Sequence, residues 1–254
     1  MSEGHKHRAR IFLHRGDLAQ ARTAWEAAVA DDRMTGNRQT LSDSLGNLGN
    51  TCALMNDLSQ AEQCYREVLQ IQRTEGNLTA VAHTLVNLGN LHIASDHPEN
   101  ARPYYLEALD LMRKLEDSRG LGILYTNLAL QEARAQHWTQ AVMSFKQALD
   151  HHRTVGNEEG LAVTYSQLGK CYLDQGDLLG AERCLNNASE HYIKLGNEPA
   201  EAAVLRLLSR LYERRHDSIS AQRCLERVVS LDLRYRLSDF EADSKTLSNL
   251  KEAG

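Results

Sequence analysis

The residues in this chain best suited to recognition are amides and arginines. Asn47, Asn50, Asn87, Asn90 and Asn127, followed by Gln167 and Lys170, stand a few residues apart within sets that repeat every 40. An asparagine carries a donor and an acceptor side by side, so a ladder of them suits bidentate bonding to a guest backbone whatever its sequence. The competing use for each amide is a bond to a neighbouring helix or to water. Arg206, Arg210 and Arg214 lie four apart, which on a helix places their guanidiniums along one face. Such a row makes a cradle for carboxylate or phosphate. The alternative is a solvated face paired with Glu201, Glu213 or Asp217.

Catalytic or metal chemistry finds no comparable set. The 11 histidines include no HExxH and no Cys/His group at ligand spacing. Adjacent His151 and His152 point in different directions on a helix, and His97, His137 and His216 recur as turn residues. The five cysteines, Cys52, Cys64, Cys171, Cys184 and Cys224, are odd in number and form no CxxC pair. That pattern suits reduced, packed thiols. Gly120-Leu121-Gly122 falls inside a predicted helix without a preceding strand, so it is no phosphate loop. The expectation is a non-enzyme with no cofactor and no metal.

Bulk properties narrow the class further. With 42% hydrophobic and 25% charged residues the composition is that of a folded protein. A net charge of −5 gives no general attraction to phosphate backbones, which argues against nucleic-acid partners. No apolar run approaches a bilayer span and the first ten residues lack a signal-peptide core, so the expected location is cytoplasmic, off the membrane.

The elements that must position these groups come from a repeat, because the chain realigns on itself at a shift of 40 residues. One column reads Ala21, Ala61, Ala101, Ala141, Ala181 and Ala221; a second is small, Ala9, Gly49, Gly89, Ala129, Gly169 and Ser209. A third is bulky: Trp25, Tyr65, Tyr105, Phe145, Leu185 and Leu225. Helices cross closely where a small side chain faces a large one, which predicts a tight hairpin in each repeat. Turn residues share the period: Gly16-Asp17, Asn56-Asp57, Asp96-His97, Gln136-His137, Gly176-Asp177 and His216-Asp217 within hairpins. Gly36-Asn37, Gly76-Asn77, Glu116-Asp117, Gly156-Asn157 and Gly196-Asn197 fall between them. Asp or Asn caps the helix that follows, and Gly or Asn ends the one before.

The reading is all-α: six antiparallel hairpins over about 1–38, 39–78, 79–118, 119–158, 159–198 and 199–238, with a capping helix at 239–252. Ser238 and Glu241 give that last helix a capping-box pattern. The first helix is polar, as befits an outer face in water, and Pro103 is expected to remove one backbone bond and bend its helix. Each hairpin buries its apolar face on its neighbours, so 1–254 is expected to form one domain.

The Asn-Leu-Gly sets at 47–49 and 87–89, Asn-Leu-Ala at 127–129, and the Ala-plus-aromatic pair of each second helix resemble tetratricopeptide repeats. The 40-residue unit is similar to the longer repeats of kinesin light chains, spindle-orientation adaptors and bacterial peptide-sensing regulators. That resemblance implies a right-handed superhelical solenoid whose first helices line a concave groove for peptide segments, with the amides and Lys170, Arg206, Arg210 and Arg214 on the groove face. The implied role is a scaffold or adaptor holding a protein or peptide; the cations at 170, 206, 210 and 214 add an expected acidic character of the guest toward the C-terminal half. The rival is a ligand-responsive sensor domain of a larger regulatory system. Lys6, Arg10, Asn47 and Asn87 resemble part of a carboxylate clamp, with His83 and Asn87 where basic residues belong. Homo-oligomerisation stays open, since solenoid ends expose apolar surface unless capped.

Overall fold

A computed structural model describes residues 2–95, 97–235 and 237–253. Asp96, one of the expected turn residues, lies outside the described residues. The described residues form 13 helices and no strands: α1 (Ser2–His14), α2 (Leu18–Thr35), α3 (Arg38–Leu54), α4 (Leu58–Glu75), α5 (Leu78–Ala94), α6 (Pro98–Lys114), α7 (Ser118–Arg134), α8 (Trp138–Thr154), α9 (Glu158–Gln175), α10 (Leu178–Leu195), α11 (Glu198–Arg214), α12 (Ser218–Tyr235) and α13 (Phe240–Ala253). Two compact units divide the chain, Met1–Gly120 and Leu121–Gly254.

Turn chemistry sets the helix ends as the spacing predicts. The side chains of Asp17, Asn37, Asp57, Asn77, Asn157, Asp177 and Asn197 each accept the backbone N–H three residues on, satisfying a donor that has no partner within its helix. One residue before each of these caps the backbone turns left-handed. Glycine supplies that conformation at 16, 36, 76, 156, 176 and 196, whereas Asn56, Glu116, Gln136 and His216 adopt it against a steric penalty. A Cβ at Gly176 would meet open space, yet its φ of +90° is left-handed. Gly176→Ala is therefore expected to cost about 1–2 kcal/mol from the backbone alone, measured by urea unfolding.

The small and large columns meet as the repeat predicts. All six column alanines are fully buried. Within unit 1 an added Cβ on Gly49 or Gly89 would run into the ring of Tyr65 or Tyr105, and within unit 2 one on Gly169 would strike Leu185. Ala129 and Phe145 share a core cluster with Ala141 and Leu168.

Helix α6 continues through Pro103, which has no N–H to give, so one backbone bond is absent there as expected. Two local expectations change. The last helix opens at Phe240, where the Asp239 carbonyl accepts the Asp243 N–H, while the Ser238 hydroxyl turns to the Asp239 side chain. The polar first helix does not give all its charges to water: Lys6 is only 5% exposed. Its ammonium lies 3.3 Å from the buried Asp32 carboxylate, which also accepts the Ser44 hydroxyl at 2.6 Å. Burial pushes the Asp32 carboxyl up, while the Ser44 hydroxyl and the Lys6 ammonium pull it down, and the group lies below its ordinary range.

The same place in the repeat carries Gln72, Met112, His152, Tyr192 and Asp232. Three of those between the two aspartates are accommodated in different ways. Gln72 accepts the Thr84 hydroxyl at 2.8 Å, Met112 is buried, and the His152 ring fills the space beside Gly122 and Gly160. Asp232, fully buried, meets Arg206 at 2.6 Å. Buried carboxylates thus occur at this place only in the first and last hairpins.

Candidate functional site

In unit 1 the first helices of the second and third hairpins, α3 and α5, border a cleft of about 400 Å³. Asn50, Asn87 and Asn90 line it together with Tyr65, and Leu54, Leu58 and Leu91 supply apolar wall. Three of the amides singled out from the sequence are therefore brought to one place, and an exposed leucine, Leu54, accompanies them.

Two of those amides have structural work. The Tyr65 hydroxyl donates to Asn50 Oδ1 at 2.7 Å, and the Tyr105 hydroxyl donates to Asn90 Oδ1 at 2.6 Å, 40 residues on. Each bond pins a tyrosine ring over the glycine that precedes its asparagine, Gly49 or Gly89. Burial raises the Tyr65 hydroxyl to about 12, so it remains a donor at any physiological pH. The coupling was legible in the repeat columns. Where the bulky residue is Tyr the residue after the small one is Asn; where it is Phe145 that residue is Leu130, and with Leu185 and Leu225 it is Lys170 and Arg210. A phenol needs an acceptor and a hydrocarbon does not. At Asn50, whose oxygen is taken by Tyr65, the bidentate use expected of a free amide is reduced to what its Nδ2 can donate.

The remaining amides differ in what they have left to give. Asn47 donates to the Asp43 carbonyl of its own helix at 2.7 Å, and Asn127 is half-buried and engaged within the fold. Asn87 and Gln167, also half-buried, make no side-chain hydrogen bond among the described residues. Asn87 is thus the amide of the unit 1 cleft with both functions uncommitted.

The three arginines do not form one cradle. Arg206 donates to Asp232 and to Asp243, each at 2.6 Å, tying α11 to α12 and α13. Arg214 donates to the Leu173 carbonyl at 2.8 Å, a second donor beside the Gly176 N–H for an acceptor at the end of α9. The spacing argument fails because side chains of this length select partners on three other helices, none within the pairing candidates near in sequence. Arg210 and Lys170 are exposed, occupy the same place in successive repeats and have no ion-pair partner among the described residues. The carboxylate-clamp likeness loses Lys6 to Asp32 and sets His83 3.3 Å from Asp117.

Thiol and metal chemistry stay in the background. Burial pushes Cys52, Cys184 and Cys224 up to about 11 and also raises Cys64 and Cys171. All five are free, and four are buried. The expected result is negligible iodoacetamide alkylation of the folded protein at pH 7.5, with full labelling in urea, read by intact mass. Among the described residues no group of three or more His, Cys, Asp or Glu side chains could hold a metal ion, and no helix is long and apolar enough to cross a membrane.

Hairpins of 40 residues, closed by small-on-large contacts and carrying polar side chains on their first helices, define a helical repeat protein of the interaction type. The profile of the tetratricopeptide repeat family matches residues 3–74, 80–154 and 160–234. The chain belongs to that family. No curated protein matches it. Among solved structures it is similar to BtubC (BKLC) from P. vanneervenii, with 18% identity and a TM-score of 0.76 over 86% of this chain and 92% of that one. It is similar to a signal transduction ATPase with numerous domains from Pyrococcus horikoshii, which carries a tetratricopeptide repeat sensor: 13% identity, TM-score 0.78, 99% of this chain and 39% of that one. A Rap protein complexed with competence and sporulation factor is 13% identical at a TM-score of 0.71, over 98% of this chain and 74% of that one. Identities this low speak to the fold.

Proposed function

We propose that this protein is a non-catalytic interaction module that holds a peptide segment of a partner against its first helices. The observation that carries this reading is the α3–α5 cleft, where uncommitted Asn87 stands among apolar side chains exposed to solvent. An unpaired half-buried amide beside a wettable apolar wall gains most from a guest that supplies both a peptide unit and apolar surface. In unit 2, Asn127, Gln167, Lys170 and Arg210 continue the polar set with two unpaired cations, which favours acidic residues on a guest there. Support of a general kind comes from the Rap protein, whose structure holds competence and sporulation factor.

Replacing Asn87, Asn127 and Arg210 together by Ala is expected to abolish partner capture, read by affinity pull-down and mass spectrometry, while circular dichroism keeps its helical signal. Partner recovery by the well-folded triple variant at wild-type yield would sink the reading. A second reading is a sensor segment of a larger regulator. Its support is the likeness to the repeat sensor of the Pyrococcus ATPase, of which this chain spans 39%. The full open reading frame in its genome tests it: an adjoining effector domain is its expected outcome.

A further inference from the structure

The chemistry of the cleft restricts what can enter it. Helix α5 contains no Asp, Glu, Lys or Arg from Leu78 to Ala94, and none of these residues lines the cleft. Leu54, two-thirds exposed on one side, faces solvent with an apolar surface that nothing in unit 1 covers. At about 400 Å³ the cleft holds on the order of a dozen waters at bulk density, which an apolar guest would release. A charged guest side chain would lose those waters and find no counter-charge, a cost of several kcal/mol that a single amide cannot offset. The hydrogen bonds on offer are those of Asn87, together with the Asn50 amide whose oxygen is already taken by Tyr65.

Resting on the groove reading above, we infer that the α3–α5 cleft selects a neutral segment: an uncharged apolar side chain anchors against Leu54, Leu58 and Leu91 while Asn87 pairs with the peptide unit beside it. Specificity in this half of the protein then comes from apolar shape and the absence of charge, opposite in kind to the preference proposed for Lys170 and Arg210. Ala94 lies at the end of α5 on the cleft wall and is exposed, so either charge can be placed there without burying it in the core.

The test uses a positional-scanning library of fluorescent, extended hexapeptides with the full chain, read by fluorescence polarisation. The expected result is enrichment of Leu, Ile, Met or Phe at one fixed position with Asp, Glu, Lys and Arg disfavoured there. For the best apolar probe, Ala94→Asp and Ala94→Lys are both expected to weaken binding on the order of tenfold, and Asn87→Ala to weaken it also. Enrichment of Asp or Glu, with tighter binding by Ala94→Lys, would overturn the neutral-anchor inference while leaving the groove reading intact. Retention of no peptide, or binding unchanged by Asn87→Ala and both Ala94 variants, overturns both.

Discussion

Arg206→Ala is expected to cost about 3–5 kcal/mol at neutral pH, because it leaves two carboxylates facing each other without their shared cation. Asp232 is fully buried, Asp243 is 14% exposed, and Arg206 bonds both at 2.6 Å. Already in the intact protein the Asp232 carboxyl is raised: burial pushes it up, Arg206 pulls it down, and Asp243 pushes it up again. A raised folded-state value means that this group's contribution favours the fold below the ordinary carboxylate range and is lost as pH rises through the folded value. Without Arg206 the folded value rises further, so the deficit is largest at neutral pH and shrinks as acid protonates Asp232. Urea unfolding of both proteins at pH 7 and near pH 4 measures it, with hydrogen exchange following α13. An equal deficit at the two pH values would refute the charge account. Asp32 has the opposite sign: its lowered carboxyl contributes stability above the ordinary range that is lost as pH falls through the folded value. The buried charge pairs of the first and last hairpins therefore respond to acid in opposite directions.

Gly89→Ala is expected to destabilise by about 1–3 kcal/mol, as overpacking of a close helix crossing does. The added methyl would enter the Tyr105 ring, and that ring is tethered through its hydroxyl to Asn90, the next residue along the same helix. The usual escape, rotation of the large side chain, breaks a hydrogen bond. Gly46→Ala is the control, since its Cβ meets nothing within 4 Å and the change gains about 0.5–1 kcal/mol of helix propensity. Two glycine-to-alanine changes in corresponding first helices should thus move thermal midpoints in opposite directions. If both stabilise, the tethered-ring account of the hairpin crossing is wrong.

The site was legible in parts that differ physically. Asn87 was identifiable as a first-helix amide, but that its side chain makes no hydrogen bond among the described residues was not. Asn50 and Asn90 were identifiable too, but their acceptors serve Tyr65 and Tyr105. Comparing columns, Asn with Tyr against Leu130 with Phe145, exposes that coupling without coordinates. Leu54 and Leu58 escaped notice because an exposed or half-buried leucine at a helix end carries no sequence signal until a neighbouring helix forms the opposite wall.

The repeat length, the hairpins, the caps and the left-handed turn residues were determined by sequence alone, since each depends on groups within a few residues of one another or on a side-chain size that recurs every 40. Tertiary structure alone decided where the long charged side chains went. Lys6, Arg206 and Arg214 reach across to Asp32, Asp232 with Asp243, and the Leu173 carbonyl, respectively. Spacing along one helix says which face a guanidinium leaves from. Which acceptor it meets depends on the other helices that burial has brought within its reach.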